Sequence, residues 1–148
     1  MWRFIKDYLF SIFIFLIITY LSLTQPPKIG TLLFKGWDKV VHICMYGGLS
    51  GVFWIEFLLK HKKRKEKANY IYAVTGGVLY PILVGGALEL CQTYFTRYRS
   101  GDWLDILANT TGVFLATLIA WFVLRPLIIK GETGKAGEIG KTEKDGKN

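Results

Sequence analysis

Three short stretches of this chain hold residue types suited to chemistry. The first is Asp38-Lys39-x-x-His42, whose spacing sets Asp38 and His42 on one helical face. The second is Glu89-x-x-Gln92, one turn apart, and the third is Arg99-Ser-Gly-Asp102-x-x-Asp105-x-x-x-Asn109-x-x-Gly112. At about 100° per residue, Asp102, Asp105, Asn109 and Gly112 fall within an arc of about 80°. His42, Glu89 or Asp105 can serve as general acid or base, with a pKa shifted by burial and neighbours. Lys39 and Arg99 suit a phosphate or carboxylate, the arginine through its fork geometry. Asp, His, Glu and Asn also suit a hard or borderline divalent cation, but no residue is assigned to a metal and no cofactor is identified. No Ser or Cys stands in an activated-nucleophile setting, and this pattern offers one histidine where membrane acid phosphatases use two. Cys44 and Cys91 lie in apolar surroundings and read as small packing residues.

The elements that position these residues are apolar and long. Residues 8–23, 40–55, 70–88 and 106–124 carry no charge beyond a possible proton on His42. A bilayer core about 30 Å thick needs roughly 20 apolar helical residues to cross it. The expectation is an all-α, polytopic membrane protein, a bundle of four transmembrane helices over residues 1–130, with spans at about 2–23, 38–59, 69–93 and 102–125. That excludes a soluble enzyme. Pro26-Pro27 ends the first span, and no small-x-small cleavage site follows it, so it reads as a retained helix rather than a signal peptide. The segment after it, KIGTLLFKGWDK, mixes apolar and basic residues and is expected to lie on the membrane interface. Pro81 predicts a kink in the third span. Gly47 and Gly51, four apart, predict tight packing between helices of this chain. Residues 131–148 have no aromatic side chain and no periodicity, and are expected to form a disordered cytoplasmic tail.

The charge fixes an expected orientation. The chain has 19 Lys and Arg and a net charge of +8, which on its own admits a nucleic-acid partner. Fourteen of these cations lie before the first run, within Lys60–Lys67 or from Arg125 onward. Lys28, Lys35, Lys39, Arg97 and Arg99 make up the rest. The positive-inside rule then puts both termini in the cytoplasm, with no nucleic acid as partner and the cytoplasmic (inner) membrane as location. With that orientation all three polar stretches lie within about two turns of the outer surface, and the simplest geometry is one shared polar pocket opening outward. Glu56 stands alone at the inner end. Transport is disfavoured, because no inner polar stripe continues the path.

The ordered set DKxxH, a glycine-rich span, ExxQ and R-S-G-D-x-x-D-x-x-x-N-x-x-G resembles the VanZ-like family of small bacterial membrane proteins, over about Asp38 to Gly112. Position by position, the resemblance picks out Asp38, Lys39, His42, Glu89, Gln92, Arg99, Asp105, Asn109 and Gly112. It implies a role at the bacterial cell envelope. The family's name comes from a protein linked to glycopeptide (teicoplanin) resistance, and the resemblance supplies no biochemical activity. Three readings follow. In the first, Asp38, Lys39, His42, Glu89, Gln92, Arg99, Asp102, Asp105 and Asn109 bind a lipid headgroup, a cell-wall precursor fragment or the glycopeptide itself, with membrane lipids as surroundings. In the second, a membrane enzyme acts on a lipid-linked or cell-wall substrate at the outer leaflet. In the third, the cluster is structural: Asp102 and Asp105 satisfy the first amides of the fourth span, Asp38 caps the second, and Glu89 pairs with Arg97 or Arg99. Capping leaves His42 and Asn109 unexplained, since both lie a turn or more inside their helices.

Overall fold

A computed structural model describes residues 2–24, 36–64, 69–95 and 102–129, and they form helices with no strand among them. In chain order these are α1 (Trp2–Asp7), α2 (Leu9–Leu23), α3 (Trp37–Arg64), α4 (Tyr70–Val74), α5 (Tyr80–Phe95) and α6 (Trp103–Ile119). A π-helical turn, Thr75–Leu79, joins α4 to α5, and a second, Ala120–Leu124, follows α6. Three continuous helical stretches are long and apolar enough to cross a membrane: Trp37–Lys63, Tyr70–Phe95 and Trp103–Ile129. Their outward faces are apolar, with Leu83, Leu107, Phe114 and Phe122 all more than half exposed. Water would oppose so much exposed hydrocarbon, and a bilayer favours it. These features suit a multi-pass membrane protein. Residues 131–148, the segment before Gly36, Arg97 and Arg99 lie outside the described residues.

The first apolar run is where the structure departs from a single uninterrupted span. Tyr8 breaks the helix, and α2 itself has 15 residues, about 22 Å at 1.5 Å per residue. The break is stabilised from another helix. Tyr8 provides no side-chain cap for α2; instead the Glu56 carboxylate on α3 accepts the backbone N–H groups of Phe10 at 2.9 Å and Ser11 at 3.2 Å. The Ser11 hydroxyl donates to the same carboxylate at 2.5 Å. Those are the second and third amides of α2, which have no partner inside the helix, and a negative charge there also complements the helix dipole. Glu56 therefore does not stand alone. It caps a helix whose sequence lies 45 residues away.

Contacts between the helices show their relative directions. Lys39 meets Asp105, His42 meets Asn109, and Trp54 Nε1–H donates to the Thr117 hydroxyl at 3.2 Å, so α3 and α6 run parallel. Against α3, the α4–α5 unit runs the other way: Glu89 lies near His42, Gly77 near Ser50 and Tyr70 near Phe57. So does α2, with Ser11 at Glu56 and Ser22, toward its other end, at Gln92 near the His42 level. The helices alternate up and down, as short connections in a bundle require.

Glycine makes the α3–α6 approach close. A Cβ built on Gly112 would lie 2.3 Å from the Ile43 carbonyl oxygen and 3.0 Å from the Gly47 nitrogen. One turn along, Gly51 faces the Ala116 methyl. Small residues four apart on both helices bring the backbones together, as the Gly47-x-x-x-Gly51 spacing predicts. The core divides in two along the bundle. One cluster centres on Tyr8, Phe53, Trp54, Phe57 and Leu58 near the basic end. The other, formed by Ile18, Tyr46, Leu49, Leu88 and Val113, supports the polar residues above it.

Candidate functional site

The polar residues meet at the end of the bundle opposite the Lys60–Lys63 stretch. Lys39, in the first turns of α3, is the hub. Its ammonium contacts Asp102 at 2.8 Å and Asp38 at 3.3 Å, and it also bonds Asp105. Asp102 does two things at once. Its Oδ1 accepts the Leu104 N–H at 3.0 Å, capping α6, while its Oδ2 takes the Lys39 proton. The Lys39 ammonium, and secondly the Leu104 N–H, hold the Asp102 carboxyl below the usual carboxylate range. Asp105 is buried, 4 % exposed, and its side chain goes to Lys39 rather than back to the α6 terminus.

His42 sits one turn deeper and is also buried. Its Nδ1 is 2.9 Å from Asn109 Oδ1 and 3.7 Å from a Glu89 oxygen. Its Nε2 is 3.8 Å from Asp38 Oδ1 and 3.8 Å from Asp105 Oδ2. Each aspartate thus divides its oxygens, one toward Lys39 and the other toward His42. With Asn109 Oδ1 accepting from Nδ1–H, the ring is held in one orientation and Nε2 faces the two acids. Asp38, His42 and Asp105 place three ligand atoms within 4.8 Å of one another, a set that fits a small divalent cation as well as an imidazolium.

Seven of the nine expected residues come together: Asp38, Lys39, His42, Glu89, Asp102, Asp105 and Asn109. Gln92 has its described hydrogen bond elsewhere. It is buried nearby, but its side-chain nitrogen donates to the Ser22 carbonyl at 2.8 Å, tying α5 to the end of α2. Arg99 lies outside the described residues. Two neighbours escaped the sequence reading. The Tyr46 ring lies parallel to His42, centroids 6.5 Å apart, and Gly85 leaves room for both Tyr46 and the Asn109 amide, each about 3.0 Å from where a Cβ would stand. Tyr46 follows His42 by four residues, so helical spacing alone marks it as a wall of the same face.

Formally the cluster holds four carboxylates (Asp38, Glu89, Asp102 and Asp105) against one ammonium and one imidazole. Glu89 and Asp105 are buried, whereas the Asp38 and Asp102 side chains are about half exposed. The ammonium of Lys39 is shared among three of these acids, Asp38, Asp102 and Asp105. A family model described as VanZ/LLP1 matches residues 2–125 of the chain. No curated protein and no solved structure matches it.

Proposed function

This chain belongs to the VanZ-like family, and we propose that it is a cell-envelope protein whose acidic end binds the polar head of an envelope amphiphile, a cell-wall fragment or a glycopeptide antibiotic. The observation behind this reading is the convergence of polar side chains from α3, α5 and α6 on Lys39 and His42, with the carboxylates of Glu89 and Asp105 buried among them. A ligand bearing a primary amine suits this end, because the carboxylates of Asp102 and Asp105 beside Lys39 are acceptors for an ammonium group. Lys39 then fixes the acids in position rather than clamping an anion. Teicoplanin resistance is one phenotype that such binding would produce.

In the membrane the proposal has four crossings, both termini in the cytoplasm of a bacterial cell and the acidic end facing out. Support comes from the alternating helix directions and from the basic stretch at the opposite end. Trp2–Asp7 and α2 together give the first crossing its length. A single cysteine at Thr31 should react with an impermeant reagent in intact cells, and one at Thr133 should not.

Binding is tested by native mass spectrometry of the gently solubilised protein. A co-purifying amine-bearing lipid, or retention of added teicoplanin, should persist in Lys39→Arg and be lost in Asp105→Asn. Equal retention by both variants refutes the site. A second reading rests on the Asn109-held imidazole: His42 as general base or acid for an outer-leaflet lipid-linked substrate, beside Glu89 and Asp105. Turnover of such a substrate that disappears in His42→Gln, with binding intact, would select it.

A further inference from the structure

Away from the acidic end, a cavity of about 370 Å³ opens between α2, α3 and the α4–α5 unit. Tyr8, Phe15, Leu49, Phe53, Tyr72 and Pro81 are among its walls. Its volume falls in the range of small-molecule sites, about 300–1,000 Å³. Apart from three tyrosines, the hydroxyls on the wall are those of Ser11 and Thr75, which donate inside the protein, to Glu56 and to the Ile71 carbonyl at 2.9 Å. What the cavity offers a guest is therefore hydrocarbon. From Tyr72 to Pro81 it runs about 13 Å along the helix axis.

One end of this cavity is charged. The Lys60 ammonium stands 5.0 Å from the centre of the Tyr8 ring and 6.0 Å from that of Tyr72, the two aromatic walls at that end. Its carboxylate neighbour, Asp7, is 3.5 Å away. Lys6, in the last turn of α1, and Lys62 and Lys63, near the end of α3, add cations at the same end. An elongated apolar slot closed by a cation over aromatic rings matches one class of molecule present around any bilayer helix. We infer that the cavity holds one acyl chain of an anionic phospholipid from the leaflet at the basic end, with the phosphate at Lys60. The phosphate adds charge-assisted hydrogen bonds that a zwitterionic lipid's compensated headgroup provides less well. This site is separate from the acidic cluster and depends on no ligand there.

The test compares phosphatidylglycerol with phosphatidylcholine of the same chain length, added to the full chain in detergent and read by native mass spectrometry. The parent should retain phosphatidylglycerol about fivefold more than phosphatidylcholine, the preference that one interfacial cation provides. Lys60→Gln should bring the two lipids level. Thr75→Trp, which fills the slot from its exposed edge, should lower retention of both. Equal retention by the parent, or an unchanged preference in Lys60→Gln, overturns the site. Should either variant fail to fold, a phosphatidylglycerol with a photoreactive acyl terminus decides on the parent alone. Its label should map to residues 8–15 and 72–81; a label found only elsewhere, or a second copy of the chain cross-linked across the cavity, refutes it.

Discussion

The Ser50 hydroxyl donates to the Gly77 carbonyl at 2.6 Å, and both lie buried at the α3–α5 interface. In an α-helix that carbonyl would accept the N–H of residue 81, but residue 81 is proline and has none. The chain widens into the π turn Thr75–Leu79 just before Pro81, and a side chain from another helix takes up the carbonyl that proline leaves. Within a bilayer, where water cannot substitute, such a repair is required of any helix that carries proline.

Ser50→Ala should therefore destabilise the protein by about 1–3 kcal/mol, the cost of a buried acceptor left without its donor. In a Pro81→Ala background the residue-81 N–H returns, and the same Ser50→Ala change should cost little. A double-mutant cycle read by thermal melting checks this; a Ser50→Ala effect that is the same in both backgrounds would contradict the repair.

Two glycines on paired helices should respond in opposite ways. Gly112→Ala drives a methyl to within 2.3 Å of the Ile43 carbonyl oxygen, a backbone atom that cannot swing aside. The helices must separate, at a cost of about 1–3 kcal/mol or more, and Lys39 and His42 would move away from Asp105 and Asn109. Gly48→Ala meets nothing within 4 Å and should be neutral or stabilise by up to about 1 kcal/mol through helix propensity. Thermal melts of the two variants settle the ordering.

The sequence displays the faces of the helices more readily than the partners they choose. All three uninterrupted spans are legible as charge-free runs, because each needs only length and apolarity. The break at Tyr8 is not, since it depends on Glu56, which only the fold brings to the α2 terminus. In the site, Asp38 and His42, or Asp105 and Asn109, can be placed on shared faces by spacing alone. Which cation gathers them cannot: Lys39 reaches Asp102 and Asp105 across 63 and 66 residues. Gln92 has a partner that spacing does not reveal, the Ser22 carbonyl at the end of α2.

Asp102 separates capping from charge, and pH tells them apart. Its carboxyl titrates below the ordinary value near 4, chiefly because of Lys39. A lowered folded-state pKa stabilises above the unfolded value and is lost as pH falls through the folded one. Asp102→Asn keeps an oxygen for the Leu104 N–H, and asparagine caps as well as aspartate, but it gives up the ion pair. The difference in melting temperature between parent and variant should be constant from neutral pH to about pH 5 and shrink below pH 4. A difference that widens on acidification would overturn the assignment.

Lys39 and Asp105 should behave as a coupled pair whose loss distinguishes a scaffold from a binding site. The Asp105 side chain is 5 % exposed and that of Lys39 is 29 % exposed, so solvent screens one partner and not the other. Breaking a fully buried pair costs about 3–5 kcal/mol; partial exposure of the lysine brings the expectation for Lys39→Met down to about 2 kcal/mol. That change leaves the buried Asp105 carboxylate without its ammonium, whereas Asp105→Asn leaves an ammonium that solvent and two other acids still reach. Asp105→Asn should accordingly cost less than Lys39→Met. If the acids are a ligand site, Asp105→Asn abolishes retention of an amine-bearing ligand while the melting temperature stays near the parent's, the usual signature of strain held for function. If they are scaffold alone, both variants melt early and retention falls only in proportion to unfolding. Measuring melt and retention on the same samples, with the double variant closing the cycle, gives a coupling energy that should exceed about 0.5 kcal/mol. A smaller coupling would mean that Lys39 and Asp105 do not act as a pair, whatever their proximity.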